Sequence, residues 1–143
     1  MDRKIVVELI EENHNIMHKL VEKMHIVYEN KYSRHKIFAL MWLGKNGKQR
    51  LKDIAAQMGM SPSLLCVMFN KMEKEDLIVR EVDQNDRRNT YYSLSENGEL
   101  TADNAIKEIK KSVLKILELF KEDEIEDMAK ALSVVNKILE KHL

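Results

Sequence analysis

Basic side chains that could bind an anion are concentrated in one part of this sequence. Residues 31–60 contain seven lysines and arginines but a single acidic residue, Asp53, which gives the segment a net charge of +6. The net charges elsewhere are −2 for residues 1–30, −1 for 61–94 and −3 for 95–143, so the chain is neutral. We therefore expect one anion-binding lobe and a second part with a different role. A solvated surface of a helical protein is the alternative interpretation.

Three histidines near the N-terminus have a spacing that metal sites use. His14 and His18 are four residues apart and His25 follows seven residues later, so all three can lie near one face of a helix. A structural zinc site needs about four ligands, and only Glu11 and Glu22 are nearby candidates. We therefore expect no metal, and interpret the three side chains as a solvated or hydrogen-bonded face.

The single cysteine, Cys66, could support oxidation sensing or a catalytic step. No basic residue adjoins it in sequence to stabilise a reactive thiolate, so a packing or surface role is favoured over redox sensing. One cysteine also excludes a disulfide framework within one chain. We identify no catalytic triad, nucleotide-binding loop or pair of catalytic carboxylates, and we therefore expect neither a cofactor nor an enzyme activity.

The composition predicts a single, mainly helical domain. The 143 residues include one proline and four glycines, which leaves few positions for turns. Glu8 interrupts the N-terminal apolar run and no uncharged stretch reaches eighteen residues, so we expect neither a signal peptide nor a membrane span. A soluble cytoplasmic protein with no membrane partner is the expectation.

Helical spacing of apolar residues predicts the first two helices. Residues 5–28 form a long amphipathic pattern. Ser33 then has the position of an N-cap for a second helix over residues 35–43, which Gly44 and Gly47 are expected to end.

The next stretch predicts a helix-turn-helix. Residues 51–58 have helical apolar spacing, Gly59 closes that helix, and Ser61 and Pro62 suit the N-cap and first position of another. The inward face of this second helix consists of Leu65, Phe69 and Met72, and its outward face of Ser63, Val67, Asn70 and Lys71.

Two β-rich runs follow the helix-turn-helix. The residue types alternate with a period near two over 77–82 and over 90–94, and the polar loop 83–89 separates these runs. This pattern predicts a hairpin with a charged tip. A hairpin in this place makes the helix-turn-helix a winged helix.

The C-terminal third predicts two more amphipathic helices. Their apolar stripes exceed what a small winged helix can cover, so residues 1–30 and 95–143 are expected to form a dimer interface. A bundle within one chain is the alternative. The predicted fold class is therefore mainly α with a small β-hairpin wing. It is one domain, 1–143, with a winged helix-turn-helix lobe at 31–94 and a helical dimerisation lobe.

Four segments carry a resemblance across essentially the whole chain. They are LKDIAAQMGMS (51–61), MEKEDLIVR (72–80), DQNDRR (83–88) and LSENG (94–98). With helices of this length around them, they resemble the MarR family of bacterial and archaeal transcriptional regulators. The aspartate and arginines of the wing followed by LSENG are the more specific part, because many regulators share the helix-turn-helix.

The resemblance implies a homodimer that binds double-stranded DNA at a pseudo-palindromic operator, as a repressor released by a small-molecule effector. It places the second helix of the helix-turn-helix in the major groove and the wing arginine, Arg88, in the adjacent minor groove. Asp86 would hold the wing in shape, and Arg87 would contact phosphate. The groove-facing residues would be Ser61, Pro62, Ser63, Leu64, Cys66, Val67, Asn70 and Lys71.

Two departures from the family's pattern affect the expected base contacts. Many members have Thr-Arg where this chain has Cys66 and Val67, and many have an arginine where it has Asn85. Direct hydrogen bonding to bases is therefore expected to be sparse, with Asn70 the best partner for adenine. Either DNA shape contributes to recognition, or Val67 packs on a thymine methyl group.

A second set of residues is implied by the family's effector site, which binds small, often aromatic ligands between the lobes. The residues are Met17, His18, Tyr28, Phe38, Met41 and Trp42. Aromatic and methionine side chains at helical spacing are more commonly core, which is the alternative. For the whole protein, the alternative is a winged-helix protein-interaction scaffold that binds no operator, which the apolar Leu64 and Val67 would suit.

Overall fold

The computed structural model describes residues 2–25 and 33–142. It contains the helices α1 (Arg3–His25), α2 (Arg34–Asn46), α3 (Leu51–Met58), α4 (Pro62–Lys74), α5 (Glu96–Leu117) and α6 (Glu122–His142), and the strands β1 (Gln49–Arg50), β2 (Ile78–Val82) and β3 (Thr90–Leu94). The mainly helical fold with a small antiparallel sheet confirms the predicted winged helix. Tyr28, Lys31 and the end of the predicted helix 5–28 lie outside the described residues.

Two compact units divide the chain, Met1–Glu108 and Ile109–Leu143. The hydrophobic core belongs to the first unit, where α2, α3 and α4 pack on β2 and β3. Its most deeply buried large side chains are Tyr92, Phe69, Leu40, Leu43, Ile54, Leu65, Met72 and Leu77. The three inward residues predicted for α4 are therefore confirmed as core. No described helix has the length and apolar character that crossing a bilayer requires.

The predicted capping residues begin α2 and α4. The Ser61 hydroxyl oxygen accepts a hydrogen bond from the Leu64 N–H at 3.3 Å, and Pro62 occupies the first turn of α4. Ser33 accepts from the Lys36 N–H at 3.4 Å in the same way. Gly59 ends α3 in the left-handed region, at φ 61°. These contacts stabilise the turn between α3 and α4 and so fix the direction of α4.

The prediction that Gly44 ends α2 is wrong. The helix continues to Asn46, and Gly47 ends it with φ 69° and an N–H that donates to the Leu43 carbonyl at 2.8 Å. A left-handed C-cap favours glycine, and only Gly47 of the two glycines has a positive φ. Gly44 lies inside the helix, where a Cβ would be 3.5 Å from Leu94 Cδ1.

The sheet has three strands, one more than the predicted hairpin. The order is β1-β3-β2 and both pairings are antiparallel, with Ile78 opposite Leu94 and Arg50 opposite Tyr91. A strand of two residues is too short to produce an alternating pattern, so the sequence gives no sign of β1. Its pairing joins the start of α3 to the central strand of the wing.

The start of α5 is held against the end of the α4–β2 connection. Ser95 donates its hydroxyl hydrogen to the Asp76 carbonyl and accepts the Gly98 N–H at 2.9 Å. A Cβ at Gly98 would lie 1.8 Å from the Leu77 carbonyl oxygen, so no larger residue fits without movement of the backbone. The serine and glycine of the LSENG segment therefore allow α5 to begin close to Asp76 and Leu77.

Candidate nucleic-acid interface

Helix α4 has one face fixed in the core and the opposite face exposed. Leu65, Phe69 and Met72 are fully buried, and the Phe69 ring packs edge-on against Tyr92 with 4.8 Å between centroids. Because this inner face is locked, the outer face is held in one orientation. The exposed outer residues are Ser61, Pro62, Ser63, Leu64, Val67, Asn70 and Lys71, and Cys66 is partly buried beside them.

Two apolar side chains interrupt the polar outer face of α4. Leu64 is 58% exposed and Val67 is 57% exposed, one helical turn apart. They border a groove of about 840 Å³, together with Met60, Met68 and Lys71. An apolar surface of this kind suits contacts with methyl groups better than hydrogen bonds with base edges.

The wing loop is ordered by two aspartates. Asp83 Oδ1 accepts hydrogen bonds from the N–H groups of Asn85, at 2.8 Å, and Asp86, at 3.3 Å. Asp86 Oδ1 in turn accepts from the Arg88 N–H at 3.0 Å, and the Asn89 carbonyl accepts from the Asp83 N–H at 3.0 Å. These turns fix the backbone of the wing. Asp83 was not among the predicted site residues, although an aspartate two residues before Asn85 is a sequence sign of such a turn.

Both wing arginines are exposed. The Arg88 side chain is 95% exposed, and its Nε lies 3.8 Å from Asp86 Oδ1. Arg87 is exposed beside it. The loop therefore presents two guanidinium groups to solvent on a backbone that hydrogen bonds hold in place, as anion binding requires.

Ion pairs reduce the free positive charge of residues 31–60. Of the six basic residues that are described in this segment, Lys36 pairs with Glu75 at 2.7 Å, Lys48 with Glu81 at 2.6 Å and Arg50 with Asp53 at 2.8 Å. The pKa of Arg50 is raised. The larger cause is the hydrogen bond from its guanidinium to Asp53, and the smaller is the negative charge of that carboxylate. The net charge of +6 for residues 31–60 therefore overstates the positive charge available to a ligand, because several of these basic side chains form ion pairs within the protein.

Two of these pairs link residues that lie far apart in sequence. Lys36 Nζ reaches both carboxylate oxygens of Glu75, which connects the first turn of α2 to the C-cap of α4. Lys48, the residue before β1, pairs with Glu81 on β2 and lies 5.3 Å from the centre of the Tyr91 ring on β3. One pair therefore joins α2 to the end of the helix-turn-helix, and the other joins the segment before β1 to the wing.

Of the residues predicted for an effector site, Phe38, Met41 and Trp42 lie on α2, and Met17 and His18 lie on α1. Phe38 and Trp42 stack with 6.2 Å between ring centroids, and the buried Trp42 Nε1 has no hydrogen-bond partner among residues 2–25 and 33–142. Met17 is exposed on α1, where His18 Nδ1 lies 3.5 Å from Glu22 Oε1. Tyr28 is not described.

Met41 borders a cavity of about 600 Å³ instead. The cavity lies between the C-terminal half of α2, the end of β3 and the first half of α5, within the first unit. Its lining is Met41, Leu43, Gly44, Lys45, Gly47, Ser93, Leu94, Glu99, Ala102, Asp103 and Ile106. The sequence indicated Met41, but the partners from β3 and α5 depend on tertiary packing that apolar spacing does not reveal.

His14 and His18, which have the spacing of metal ligands but for which no metal is expected, both lie on α1 and are exposed. Among the residues that the structure describes, no group of three His, Cys, Asp or Glu side chains is arranged to hold a metal ion.

Helices α1 and α6 carry most of the exposed large apolar side chains among the described residues. On α1 they include Ile5, Val6, Val7, Leu9, Ile10, Ile16 and Met17, and on α6 they include Met128, Leu132, Val134, Val135, Ile138 and Leu139. No described residue of α6 is buried. Exposed apolar surface on this scale marks a region that another surface covers.

Comparison with known proteins finds a family model and several relatives that are similar to the region of the helix-turn-helix. The MarR family model matches residues 33–90. The HTH-type transcriptional regulator YwhA of Bacillus subtilis is 35% identical over 69 residues, which cover 48% of this chain and 50% of that protein. The HTH-type transcriptional repressor MdtR of the same species is 28% identical over 89 residues, 62% of this chain and 57% of that protein. The chain thus spans about half the length of the curated relatives it matches.

Solved structures match over nearly the whole chain. A MarR family protein from Bacillus stearothermophilus has a TM-score of 0.78 at 20% identity, with 98% of this chain and 99% of that chain covered. Streptococcus pneumoniae FabT, crystallised in complex with DNA, has a TM-score of 0.65 at 21% identity, with coverages of 98% and 99%. At these identities the likeness establishes the fold. This chain has the winged helix-turn-helix fold, and its residues 33–90 match the MarR family model.

Proposed function

We propose that this protein is a sequence-specific, double-stranded DNA-binding regulator of transcription. The observation that carries the proposal is the outer face of α4, held in one orientation by its buried face and flanked by the exposed wing arginines Arg87 and Arg88. The curated relatives are named as HTH-type transcriptional regulators, and FabT was crystallised with DNA. In this proposal α4 enters the major groove and Arg88 enters the adjacent minor groove.

Phosphate contacts supply most of the affinity in this proposal. Ser61, Ser63, Lys71 and Arg87 are exposed near the groove-facing surface and have the chemistry that contacts the backbone. Asn70 pairs with an adenine edge, whereas Leu64, Cys66 and Val67 supply apolar contacts. Binding then weakens steeply with salt because each contact releases counterions from the duplex.

The active form is a homodimer on a pseudo-palindromic operator. The support is the exposed apolar surface of α1 and α6, which a second copy of the chain would cover. Two copies present two α4 helices, so the operator repeats its half-site about one helical turn away. Bound at a promoter, the dimer acts as a repressor, as the relative MdtR is named.

A small molecule releases the repressor. The cavity beside Met41 supports this part, since about 600 Å³ is enough for a small aromatic ligand. The cavity borders β3, the central strand of the wing, so a ligand that changes the packing there changes the position of the wing relative to α4. Thermal unfolding with a panel of small aromatic compounds tests this, and a ligand that raises the melting temperature and weakens DNA binding is the expected result.

Selection of duplexes from a random DNA pool tests the function directly. The expected result is a pool enriched in one symmetric sequence, which then gives a mobility shift that is strong at about 50 mM salt and weaker at about 200 mM. A protein-interaction scaffold, which the exposed Leu64 and Val67 would also suit, enriches no sequence and gives no specific band at either salt concentration.

A further inference from the structure

A small recess lies where the start of α3, the start of α4 and the base of the wing meet. Its volume is about 160 Å³, and its lining is Arg50, Leu51, Lys52, Pro62, Arg88, Asn89 and Thr90. Three of these residues are basic and no acidic residue lines the recess, although Asp53 pairs with Arg50 at 2.8 Å from outside the lining. We propose that this recess binds a phosphodiester group of the DNA backbone, with Arg50 and Lys52 as its ligands. The inference rests on the DNA-binding function proposed above, and adds to it a site between the two groove contacts.

The position of Arg50 is set by strand β1. Arg50 pairs with Tyr91 on β3, one residue from Thr90 in the lining of the recess. Its Nε donates to Asp53 Oδ2 at 2.8 Å, which fixes the plane of the guanidinium. Because this hydrogen bond uses Nε, the two Nη groups remain to donate to an anion, and a guanidinium of fixed orientation binds a phosphate oxygen with less loss of entropy.

The backbone adds to the attraction for an anion. Arg50 is the N-cap of α3, and no side chain caps this end of the helix. The first N–H groups of α3 therefore bring partial positive charge to the side of the recess formed by Leu51 and Lys52. Lys52 is exposed and contributes a full charge at the same place.

The location favours a backbone phosphate over a free anion. Pro62 begins the proposed major-groove helix, and Arg88 belongs to the proposed minor-groove wing. The two grooves of a duplex are separated by a phosphate backbone, so a protein that enters both must pass a phosphate at the junction of the two elements. The Arg88 side chain is 95% exposed, so its guanidinium reaches solvent beyond the recess and stays available for the minor groove.

Four variants test the charge of the recess on the duplex that the wild-type protein selects. Lys52→Gln and Arg50→Gln remove charge from the recess. Lys107→Gln removes an exposed charge on α5 that lines neither the recess nor the cavity beside Met41, and Lys52→Arg keeps the charge at position 52. We expect the first two to weaken binding about tenfold and to reduce the salt slope by about one for each protomer. Lys107→Gln and Lys52→Arg should both keep the wild-type slope. Circular dichroism and thermal unfolding verify that each variant is folded.

Methylphosphonate substitution locates the phosphate. Each duplex carries one neutral methylphosphonate per half-site, and the position is moved along the backbone. We expect one position where wild-type binding falls about tenfold while Lys52→Gln binding falls no further. The inference is wrong, and the DNA-binding function stands, if wild-type protein binds the duplex but wild type and Lys52→Gln respond alike to a methylphosphonate at every position. The same conclusion holds if the recess binds only inorganic phosphate. If wild-type protein selects no duplex, the proposed function fails and the inference fails with it.

Discussion

Asp86 Oδ1 accepts a 3.0 Å hydrogen bond from the backbone N–H of Arg88, whereas the side-chain Nε of Arg88 is 3.8 Å from the same oxygen. The carboxylate therefore fixes the backbone at Arg88 more closely than it directs the guanidinium. The exposed side chain can reorient toward a negatively charged groove while its Cα stays in place. This combination of a fixed base and a free guanidinium suits a minor-groove contact.

Arg88→Ala is expected to weaken binding to the selected duplex by about 1–3 kcal/mol, because it removes the contact with the narrow minor groove. Fluorescence anisotropy titrations of the wild-type and variant proteins measure the loss. Arg87→Ala is the matched control: it removes a phosphate contact and weakens all duplexes to a similar extent. Equal affinity of Arg88→Ala and wild type would show that the wing assignment is wrong.

Replacement of thymine by uracil in the selected duplex tests the apolar face of α4. Uracil lacks only the methyl group, so we expect a loss of about 1 kcal/mol for each methyl that Leu64 or Val67 contacts. The loss should disappear in a Leu64→Ala, Val67→Ala double variant, whose alanine side chains are too short to contact the thymine methyl group. If the uracil duplex binds wild type as well as the thymine duplex does, DNA shape rather than methyl contact determines recognition.

The sequence predicted the elements whose signals are local. Ser61 and Pro62 indicated the start of α4 because capping depends on a few adjacent residues, and the alternating runs around residues 83–89 indicated the hairpin. Strand β1 and the Lys36–Glu75 pair could not be predicted in this way. They depend on residues that become neighbours only after the helices pack, and a charge count does not distinguish a paired lysine from a free one.

Alanine substitutions at Gly98 and Gly44, the two glycines that lie within helices, should change the stability in opposite directions. Gly98→Ala places a Cβ 1.8 Å from the Leu77 carbonyl oxygen, so the free energy of unfolding should fall by about 1–3 kcal/mol or more. In Gly44→Ala the added Cβ lies at an ordinary contact distance of 3.5 Å from Leu94 Cδ1. Because this position is inside α2, the free energy of unfolding should rise by about 0.5–1 kcal/mol. Urea unfolding of both variants measures the changes. A Gly98→Ala protein as stable as wild type would contradict the close contact between α5 and Leu77.

Ionisation of the Tyr92 hydroxyl should lower the stability of the folded protein at alkaline pH. Burial raises the pKa of its hydroxyl, because a buried phenolate is poorly solvated. The unfolded chain loses this proton at a lower pH than the folded chain does. The free energy of unfolding contributed by Tyr92 is therefore fully present below about pH 10 and falls as the pH rises through the folded pKa.

Urea unfolding at about pH 8 and about pH 10.5 measures this contribution. Wild type should lose more stability between the two values than Tyr92→Phe, which has no hydroxyl to ionise. Equal losses in the two proteins would mean that Tyr92 is not the group responsible.

Charge placed on the apolar face of α6 should prevent dimerisation. Leu132 and Val135 are each 50% exposed in the single chain, and a second copy is proposed to cover them. Burial of an unpaired carboxylate is costly, so the double variant Leu132→Glu, Val135→Glu should sediment as a monomer and bind the selected duplex more weakly. Lys137→Glu, a charge change on the same helix, should remain dimeric. Sedimentation of wild type as a monomer would contradict the dimer proposal.

Hydroxyl-radical footprinting of the wild-type protein on its selected duplex tests most directly whether two copies place α4 and the wing in successive grooves of one DNA. The account predicts two protected zones related by a two-fold axis and separated by about one helical turn. Each zone should lose its minor-groove protection in Arg88→Ala, while guanine N7 atoms in the major groove should stay protected from methylation by dimethyl sulfate. A single asymmetric zone, or protection that is unchanged by Arg88→Ala, would contradict the account.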